Sequence, residues 1–562
     1  MMTDKQKNPE NQNLLYGGTM DANAIQKKLK QQKLLTKSIL IGIFLVIGGI
    51  IFFQKNYEIA KQDYIGGNLI RIGNDNGSAS GDIAVCNPWR NASFLEMLLF
   101  QSLFIADSTY TKINPGLAES YVISEDNVTY TITMRDDQFW SDGTQITAQD
   151  VLFSFEGFLR CDNKNSSIAA AFNHIEGAAD YASGNANSIS GIEVNGSVIS
   201  IKLTNPYSNF ALILTQFVPL PKHILENEDI TQITTEHPFF INNNPVCSGE
   251  YFVESVDSDN NLIVSKNPHY TNPVSDIDTI MVCWDYENVT IDYYTTTDPS
   301  KMVSYFSMKN FTEYPVDVYY YRYFIFNLAG GDDGETNEIM QDLRVRQAIY
   351  HAIDVETLAN EIYFGKTNLV YGGSLILAEE YCLYDPSKAK LLLEEAQYDF
   401  TRPFKISYYS GDTSSRIFVE RIAHYLEEIG LTVELHKASA TELYAQPDYD
   451  MLLKNLSSLN TEDWYNEYLS TNSNISQLLG KEGIFDPLVG QLTSTTDSEQ
   501  YDKVLQDLVD LEQSLLYKMP MFLLSDAAYV NTSRLSVPDD MSFGNTRYRS
   551  DIRFDEWFIK KA

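Results

Sequence analysis

The chain of 562 residues carries 41 Lys and Arg against 76 Asp and Glu, which gives a formal net charge of −35. This charge repels phosphate backbones over most of the surface, so we expect no nucleic-acid partner. The content of 44% apolar and 12% aromatic residues excludes wholesale disorder and suffices for two or three globular units. The chain has five scattered cysteines and no Cys-x-x-Cys pair, which are too few for disulfide bonds to stabilise a fold of this size.

The first predicted element is a membrane segment close to the N-terminus. Residues 39–53 are fifteen consecutive uncharged residues, about 22 Å of helix at roughly 1.5 Å per residue. Extension back to Leu34 gives an adequate span if the ammonium of Lys37 snorkels to the headgroups. Because positive charge stays on the cytoplasmic side, the lysines before the segment place the N-terminus inside the cell. We therefore predict a basic cytoplasmic tail (1–37), a transmembrane anchor (38–54) and a tether (55–65).

A cleaved signal peptide is the alternative interpretation of the same run, since the apolar core of such peptides has about 7 to 15 residues. The long tail before the run and the lack of a small-x-small site before Gln54 favour a retained anchor. Residues 1–54 carry a net charge of +4, and the rest of the chain carries −39. The acidic bulk is thus predicted to lie outside the cell or in the periplasm.

The next elements indicate a core that mixes helices and strands. Apolar and polar residues alternate over 128–135, which predicts a half-buried strand. Thr147 with Asp150 three residues later is a capping-box pattern, which predicts that a helix begins there. The Asn-Gly dipeptide at 195–196 supplies the positive φ angles of a type I′ turn and predicts a hairpin.

Four collinear stretches carry a resemblance to a known family. PGLAESYVISEDNVTYTITMRDDQFWSDGTQITAQDVLFSF (115–155) resembles the signature segment of the family 5 extracellular solute-binding proteins, the oligopeptide, dipeptide and nickel receptors of ABC importers. The similarity continues in GAADYASGNANSISGIEVNG (177–196), VPLPKHIL (218–225) and CSGEYFVESVDSDNNLIVSKNPHY (247–270). Two features depart from the family, namely Cys247 and Ser248 at the start of a run that is usually G-T-G-P-Y, and the loop over 73–89. The resemblance implies an α/β, bilobal, periplasmic-binding-protein-like fold of the large peptide-binding type.

The elements after residue 320 resemble the second lobe of that family. The β-prone run YRYFIFNLAGG (321–331) precedes the helical pattern LRVRQAIYHAID (343–354). FKISYY (404–409), a helix ending before Gly430 and LTVEL (431–435) predict a βαβ unit. An apolar stripe between Gln500 and Tyr517 predicts a packed helix.

The resemblance also implies how the lobes follow one another along the chain. Two crossings, near Tyr320 and Phe522, would join them and leave the ligand enclosed between. The implied boundaries are a first lobe of residues 66–319 and 523–562, which carries an inserted subdomain at about 96–204, and a second lobe of residues 320–522. A ligand that touches both lobes only after closure would shift the protein to the closed form.

The resemblance further implies where the ligand would be held. In peptide-binding members an Asp in a W-G-A-D-Y-P-D-P type run pairs with the N-terminal ammonium of the ligand. The corresponding stretch here, 456–469, lacks that order, and its candidates are Glu462 and Asp463, with a solvated acidic turn as the alternative. Trp464 and Tyr465 are expected to be cleft wall or core. Weaker candidates are Asn87 and Trp89 in the first-lobe loop, and Tyr323 and Asn327 at the start of the second lobe.

The motifs of common enzyme classes are missing from the sequence. The seven histidines are dispersed, without an H-E-x-x-H motif or zinc-ligand spacing. Gly365, Lys366 and Thr367 mimic the end of a phosphate-binding loop, but Asn360 stands at its first glycine position. No G-x-S-x-G elbow occurs, and the carboxylates nominate no acid/base pair. We expect no catalytic activity, no cofactor and no metal site.

Together these observations predict a membrane-tethered receptor of an ABC importer. We expect a monomer that captures peptides between its lobes and delivers them to permease subunits. Relatives imply two alternatives with the same fold, in which the ligand is a nickel chelate or an oligosaccharide. A third alternative is a surface sensor or adhesin without a transport role, suggested by a cytoplasmic tail long enough to contact a cytosolic partner.

Overall fold

The computed structural model describes most of the chain after residue 68. The described ranges are 69–73, 88–89, 94–161, 164–229, 237, 239, 245–256, 261–283, 290–296, 298–306, 308–316, 320–329, 338–370, 384–409, 413–439, 442–445, 448–472, 474–479, 483–524, 526–541, 543–544 and 548–560. The predicted tail, anchor and tether, and Asn87, lie outside these ranges. Within them, no helix is long and apolar enough to cross a membrane.

Strands and helices alternate along these ranges. The strands are β1 (Leu69–Gly73), β2 (Phe104–Ala106), β3 (Ile113–Pro115), β4 (Ala118–Ile123), β5 (Thr129–Met134), β6 (Ile192–Asn195), β7 (Val198–Lys202), β8 (Tyr251–Val256), β9 (Leu262–Lys266), β10 (Thr279–Cys283), β11 (Tyr293–Thr296), β12 (Phe311–Val316), β13 (Tyr320–Phe326), β14 (Thr367–Leu369), β15 (Pro403–Tyr408), β16 (Thr432–Lys437), β17 (Met451–Ser457), β18 (Lys518–Leu524), β19 (Asp526–Asn531), β20 (Leu535–Ser536) and β21 (Phe558–Ile559). The α-helices are α1 (Phe94–Leu99), α2 (Ala148–Arg160), α3 (Ser166–Phe172), α4 (Ala178–Ala182), α5 (Phe210–Leu214), α6 (Lys222–Leu225), α7 (Pro299–Phe306), α8 (Glu338–Gln341), α9 (Leu343–Ala352), α10 (Val355–Tyr363), α11 (Pro386–Glu395), α12 (Thr413–Glu428), α13 (Glu442–Ala445), α14 (Thr461–Asn466), α15 (Ile475–Leu479), α16 (Asp486–Ser494) and α17 (Ser498–Leu515).

Two sheets and their helices form what we call the first lobe. The larger sheet has seven strands in the order β12-β19-β11-β1-β10-β9-β8, with β1 parallel to β10 and β11. The smaller sheet has four antiparallel strands in the order β4-β5-β7-β6, and it packs on helices α2 to α5 through a large apolar cluster. The first lobe is therefore built from the chain on both sides of the second lobe.

A six-stranded sheet with the order β14-β18-β13-β17-β15-β16 forms the second lobe. β15 is parallel to β16 and β17, whereas β13 is antiparallel to β17 and β18. The predicted βαβ unit is confirmed as β15, α12 and β16. Gly430, at a φ of 101°, lies just beyond α12 in the left-handed region that glycine adopts readily.

The chain passes between the two large sheets twice. It leaves the seven-stranded sheet after Val316 and enters the six-stranded one at Tyr320, and it returns between Leu524 and Asp526. In open α/β sheets, ligands bind outside the carboxyl ends of parallel strands. That edge of the second lobe is where β17 ends and leads into α14.

Local patterns in the first lobe produced the predicted elements. Tyr130 and Ile132 of β5 are buried while Thr131 is exposed, as the alternation predicted. The backbone N–H and the hydroxyl of Thr147 both donate to Asp150 Oδ2, at 2.8 and 2.7 Å, and α2 begins there. The predicted hairpin of β6 and β7 is confirmed, but its turn is shifted by one residue. Asn195 pairs with Val198 as the last residue of β6, and of the loop residues 196 and 197 only Gly196 has a positive φ, so the predicted type I′ turn centred on Asn-Gly is wrong.

Candidate functional site

Helix α14 carries both predicted carboxylates to the junction of the lobes. The side-chain oxygen of Asn460 accepts a hydrogen bond of 3.2 Å from the backbone N–H of Asp463, which caps the helix. Glu462 and Asp463 expose only 2% and 7% of their surface. The alternative of a solvated acidic turn is therefore wrong.

First-lobe side chains donate hydrogen bonds to both carboxylates. Ser167 Oγ, on α3, donates to Asp463 Oδ2 at 2.9 Å. Asn209 Nδ2, just before α5, donates to Glu462 Oε1 at 2.5 Å. Both donors belong to the first lobe and both acceptors to the second, so these bonds hold the lobes against each other.

Three further contacts surround these bonds. Tyr548 donates its hydroxyl proton to the carbonyl of Ser457 at 2.9 Å, and the backbone N–H of Ser208 donates to the carbonyl of Thr493 at 2.8 Å. Leu459, which is 3% exposed, packs inside the apolar cluster of the first lobe. We call this set, with Ser167, Asn209, Glu462 and Asp463, the interlobe contact.

The hydrogen-bond donors to the two carboxylates of the interlobe contact are neutral groups. Within the described ranges neither forms an ion pair with Lys or Arg. Burial, with a contribution from the charge of Asp463, raises the pKa of Glu462 to about 7. Burial also raises the pKa of Asp463 to about 6, against hydrogen bonds from Leu459 and Ser167. A positive group brought between the lobes would relieve the cost of these buried negative charges.

A buried charge cluster supports α14 from the other side. The ammonium of Lys518 lies 2.9 Å from Glu467 Oε2 and donates to the carbonyl of Trp464 at 2.9 Å. Lys454 Nζ lies 3.5 Å from Glu467 Oε1, and Glu512 Oε1 accepts from the indole of Trp464 at 2.5 Å. The charge cluster thus contains two ammonium groups and two carboxylates.

These opposite charges determine the protonation of the charge cluster. Burial alone would raise the pKa of Glu467, but the charges of Lys518 and Lys454 outweigh it and lower the pKa to about 2. Burial lowers the pKa of Lys518, partly offset by the charges of Glu467 and Glu512. Glu467 is therefore an anion at every physiological pH.

Two of the other predicted residues, Trp464 and Tyr465, belong to α14, and a third, Tyr323, packs against Trp464. Trp464 and Tyr465 are buried, and the hydroxyl of Tyr465 donates to Glu512 Oε2 at 3.3 Å. The hydroxyl of Tyr323 donates to Glu467 Oε2 at 2.5 Å, and its ring centroid lies 4.9 Å from that of Trp464. All three contact the charge cluster, and their ligand-binding role stays a prediction.

Two of the remaining predicted residues, Asn327 and Trp89, form side-chain hydrogen bonds outside the charge cluster. Asn327 follows β13 and donates from Nδ2 to the carbonyl of Tyr449 at 2.9 Å. Trp89, in the first lobe, donates its indole N–H to the carbonyl of Val218 at 2.8 Å and is 1% exposed. Asn87 lies outside the described residues. Ligand contact by these three also stays a prediction.

Sequence patterns alone did not reveal the partners of the carboxylates. Ser167 and Asn209 are polar residues without periodic or motif signals, distant along the chain from Glu462 and Asp463. For the charge cluster, the sequence offers one signal, the Lys inside the apolar strand MLLKNL (451–456), since a Lys in a buried strand needs a carboxylate partner. Among the described residues, no group of three or more His, Cys, Asp and Glu side chains is placed to hold a metal ion.

Comparison with known proteins places this geometry in a family. The model of the bacterial extracellular solute-binding proteins, family 5 Middle, matches residues 112–477, more than half of the chain. A Brucella ovis protein named as an ABC transporter peptide-binding protein is 25% identical over 352 residues, which is 59% of this chain and 62% of the relative. The chain thus matches less than two thirds of that relative's length.

Two solved structures share the fold. NikZ of Campylobacter jejuni in complex with Ni(L-His) has a TM-score of 0.67 and 23% identity, over 88% of this chain and 100% of that one. AppA of Bacillus subtilis in complex with a nonapeptide has a TM-score of 0.68 and 18% identity, over 88% and 99%. They confirm the predicted mixed α/β, bilobal, periplasmic-binding-protein-like fold. Proteins of this family bind solutes outside the cytoplasm and are in general not enzymes. This chain belongs to the bacterial extracellular solute-binding proteins of family 5.

Proposed function

We propose that this protein is the receptor of an ABC importer that captures peptides between its lobes and delivers them to a permease. The observation that carries the proposal is the pair of buried carboxylates, Glu462 and Asp463, which meet only neutral donors among the described residues. A ligand ammonium would supply positive charge there, and desolvated charge-assisted hydrogen bonds are about twice as strong as neutral ones. The peptide-binding name of the Brucella relative and the nonapeptide bound by AppA support a peptide ligand.

The other predicted residues take supporting places in this proposal. Trp464, Tyr465 and Tyr323 hold α14 through the charge cluster and so position the carboxylates. Asn87, Trp89 and Asn327 stay candidates for the walls of the binding cleft. The main chain of a peptide suits such a cleft because its repeating donors and acceptors pair with exposed strand edges.

We expect a peptide with a free N-terminal amine to bind at least about tenfold more tightly than its Nα-acetylated form, since hydrogen bonds to charged groups contribute about 1.5–3 kcal/mol. Titration calorimetry of the full-length protein in detergent measures both affinities. The same peptide with an amidated C-terminus is the matched control, because it keeps the ammonium. Equal affinities for the free and acetylated peptides would contradict the ammonium site.

Mass spectrometry of molecules that co-purify with the full-length protein tests the ligand class. Peptides should be recovered and should disappear from a sample that was unfolded and refolded. A nickel chelate or an oligosaccharide would replace the peptide assignment. Growth on peptides that does not depend on a neighbouring permease would favour the sensor or adhesin instead.

The proposal includes the organisation of the whole chain. We propose that the tail (1–37) is cytoplasmic, that the anchor (38–54) is retained and that the tether (55–65) connects it to a monomeric receptor. The proposed lobes are residues 66–319 with 523–562, including the inserted subdomain at about 96–204, and residues 320–522. The chain changes sheet beside Tyr320, which supports the boundary at 320. The second change of sheet comes after Leu524, two residues beyond the proposed boundary at 522, because β18 runs on to Leu524 and pairs there with β14.

Protease added to intact cells should release the acidic bulk and leave the N-terminal tail protected. The reason is that the basic tail is retained inside by the positive-inside rule. Antibodies against the tail and against the C-terminus follow the two parts, and a cytoplasmic marker protein controls for leakage. Cleavage of the tail with a protected C-terminus would reverse the orientation.

A further inference from the structure

The interlobe contact converges on two groups that can take up a proton. Ser167 and Asn209 donate to Asp463 and Glu462 at 2.9 and 2.5 Å, and Leu459 inserts into the first lobe beside them. These bonds exist only while the lobes touch. Opening the lobes would expose both carboxylates to water on the side that now faces the first lobe.

The surroundings leave these two carboxylates as the groups that titrate near neutral pH. The titratable groups around them are Tyr207, His174 and Tyr548 in the first lobe, Tyr501 on α17 and Glu467 after α14. Burial, with the neighbouring carboxylates, raises the pKa of Tyr207 and Tyr501 further above neutrality. Burial lowers the pKa of His174, and Glu467 stays an anion because of Lys518 and Lys454.

We propose that Glu462 and Asp463 form a proton-operated latch, in which either a bound proton or the positive end of the ligand neutralises the interlobe contact and holds the lobes closed. The inference deepens the proposed function and rests on it for the role of the ligand. The proton part concerns the empty protein and stands independently of what the ligand is. The latch keeps the empty receptor open at neutral pH and lets a cationic ligand close it.

The direction of the pH effect follows from the two states. Opening the lobes would remove the first-lobe part of the burial and so would lower both pKa values towards the ordinary 4.5 and 3.8. In the closed form burial raises the pKa of Glu462 to about 7 and of Asp463 to about 6. Closing therefore takes up protons. The stabilisation of the closed form by these protons is fully present below the ordinary pKa values and is lost as the pH rises through about 6 and then 7.

Distances between spin labels on the two lobes test the latch in the full-length protein in nanodiscs without ligand. Suitable positions are Val122→Cys in the first lobe, 67% exposed, and Leu391→Cys in the second, 53% exposed. Cys86 and Cys382 are replaced by Ser, while the other three cysteines are buried. The ratio of molecules at the closed distance to molecules at the open distance should fall at least about tenfold between pH 5 and pH 8. Each proton taken up on closing changes this ratio by up to tenfold per pH unit.

Neutral variants separate the latch from general acid effects. The double substitution Glu462→Gln with Asp463→Asn should give the same distance distribution at pH 5 and pH 8. Glu427→Gln with Asp507→Asn removes two exposed carboxylates and should keep the wild-type response. A wild-type distribution that does not change with pH, or a response that persists in the neutral variant, would overturn the latch. Neither result depends on peptide binding, so failure of the proposed function would be recognised separately.

Discussion

Replacing Glu462 by Gln and Asp463 by Asn together should weaken the binding of a peptide with a free amine by about one to two orders of magnitude at pH 7.5. The amide oxygens keep the acceptors that Ser167 and Asn209 use, so the interlobe contact can still form. What is lost is the negative charge opposite the ammonium, and hydrogen bonds to charged groups contribute about 1.5–3 kcal/mol. Titration calorimetry of the full-length protein measures the change in affinity.

The acetylated form of the same peptide separates the two roles of these carboxylates. It carries no ammonium, so a difference in its affinity between wild type and variant reports the latch alone. The variant with Glu427→Gln and Asp507→Asn, which changes exposed positions, should bind both peptides as wild type does. If the neutral variant loses the same factor for both peptides, the carboxylates act through the lobes and the ammonium contact is rejected.

Much of the fold was predictable because its elements are determined locally. The capping box of Thr147 and Asp150 and the hairpin at the Asn-Gly dipeptide depend on residues a few positions apart, and the βαβ unit around α12 lies within one continuous stretch of chain, 403–437. The bilobal architecture was not accessible from such patterns. It came from the collinear resemblance, since pairing of β11 with β19 joins residues more than two hundred positions apart.

The candidate site was predictable only in part for the same reason. The acidic pair at Glu462 and Asp463 was recognisable because the resemblance matches its stretch, 456–469, to the run that carries the ammonium-binding Asp in peptide-binding members. Its partner Ser167 lies 296 positions from Asp463, and serine has no pattern that predicts such a contact. Lys518 opens the apolar strand β18, where sequence patterns favour an exposed ammonium, yet tertiary pairing with Glu467 buries it completely.

Replacing Lys518 by Met should destabilise the second lobe by about 3–5 kcal/mol, because removing one partner of a buried ion pair leaves an uncompensated charge. The ammonium of Lys518 lies 2.9 Å from Glu467 and 4.1 Å from the ring centroid of Trp464. Urea unfolding of the full-length protein, followed by tryptophan fluorescence, measures the loss. Lys390→Met, at an exposed position of α11, should stay within about 0.5 kcal/mol of wild type.

The pH dependence of that loss shows whether charge or packing is responsible. In wild type the charges of Lys518 and Lys454 lower the pKa of Glu467 to about 2. The ion pairs of Glu467 therefore stabilise the folded protein fully above the ordinary pKa of 4.5, and this stabilisation is lost only as the pH falls through about 2. Without Lys518, the larger of the two charges that lower the pKa of Glu467 is gone and only that of Lys454 opposes burial, so the pKa rises and acid relieves part of the defect. The loss in Lys518→Met should therefore be smaller at pH 5 than at pH 8, and adding Glu467→Gln should recover part of it at pH 8. A loss that is equal at both pH values, unaffected by the second substitution, would mean that Lys518 supports α14 through the packing of its aliphatic stem.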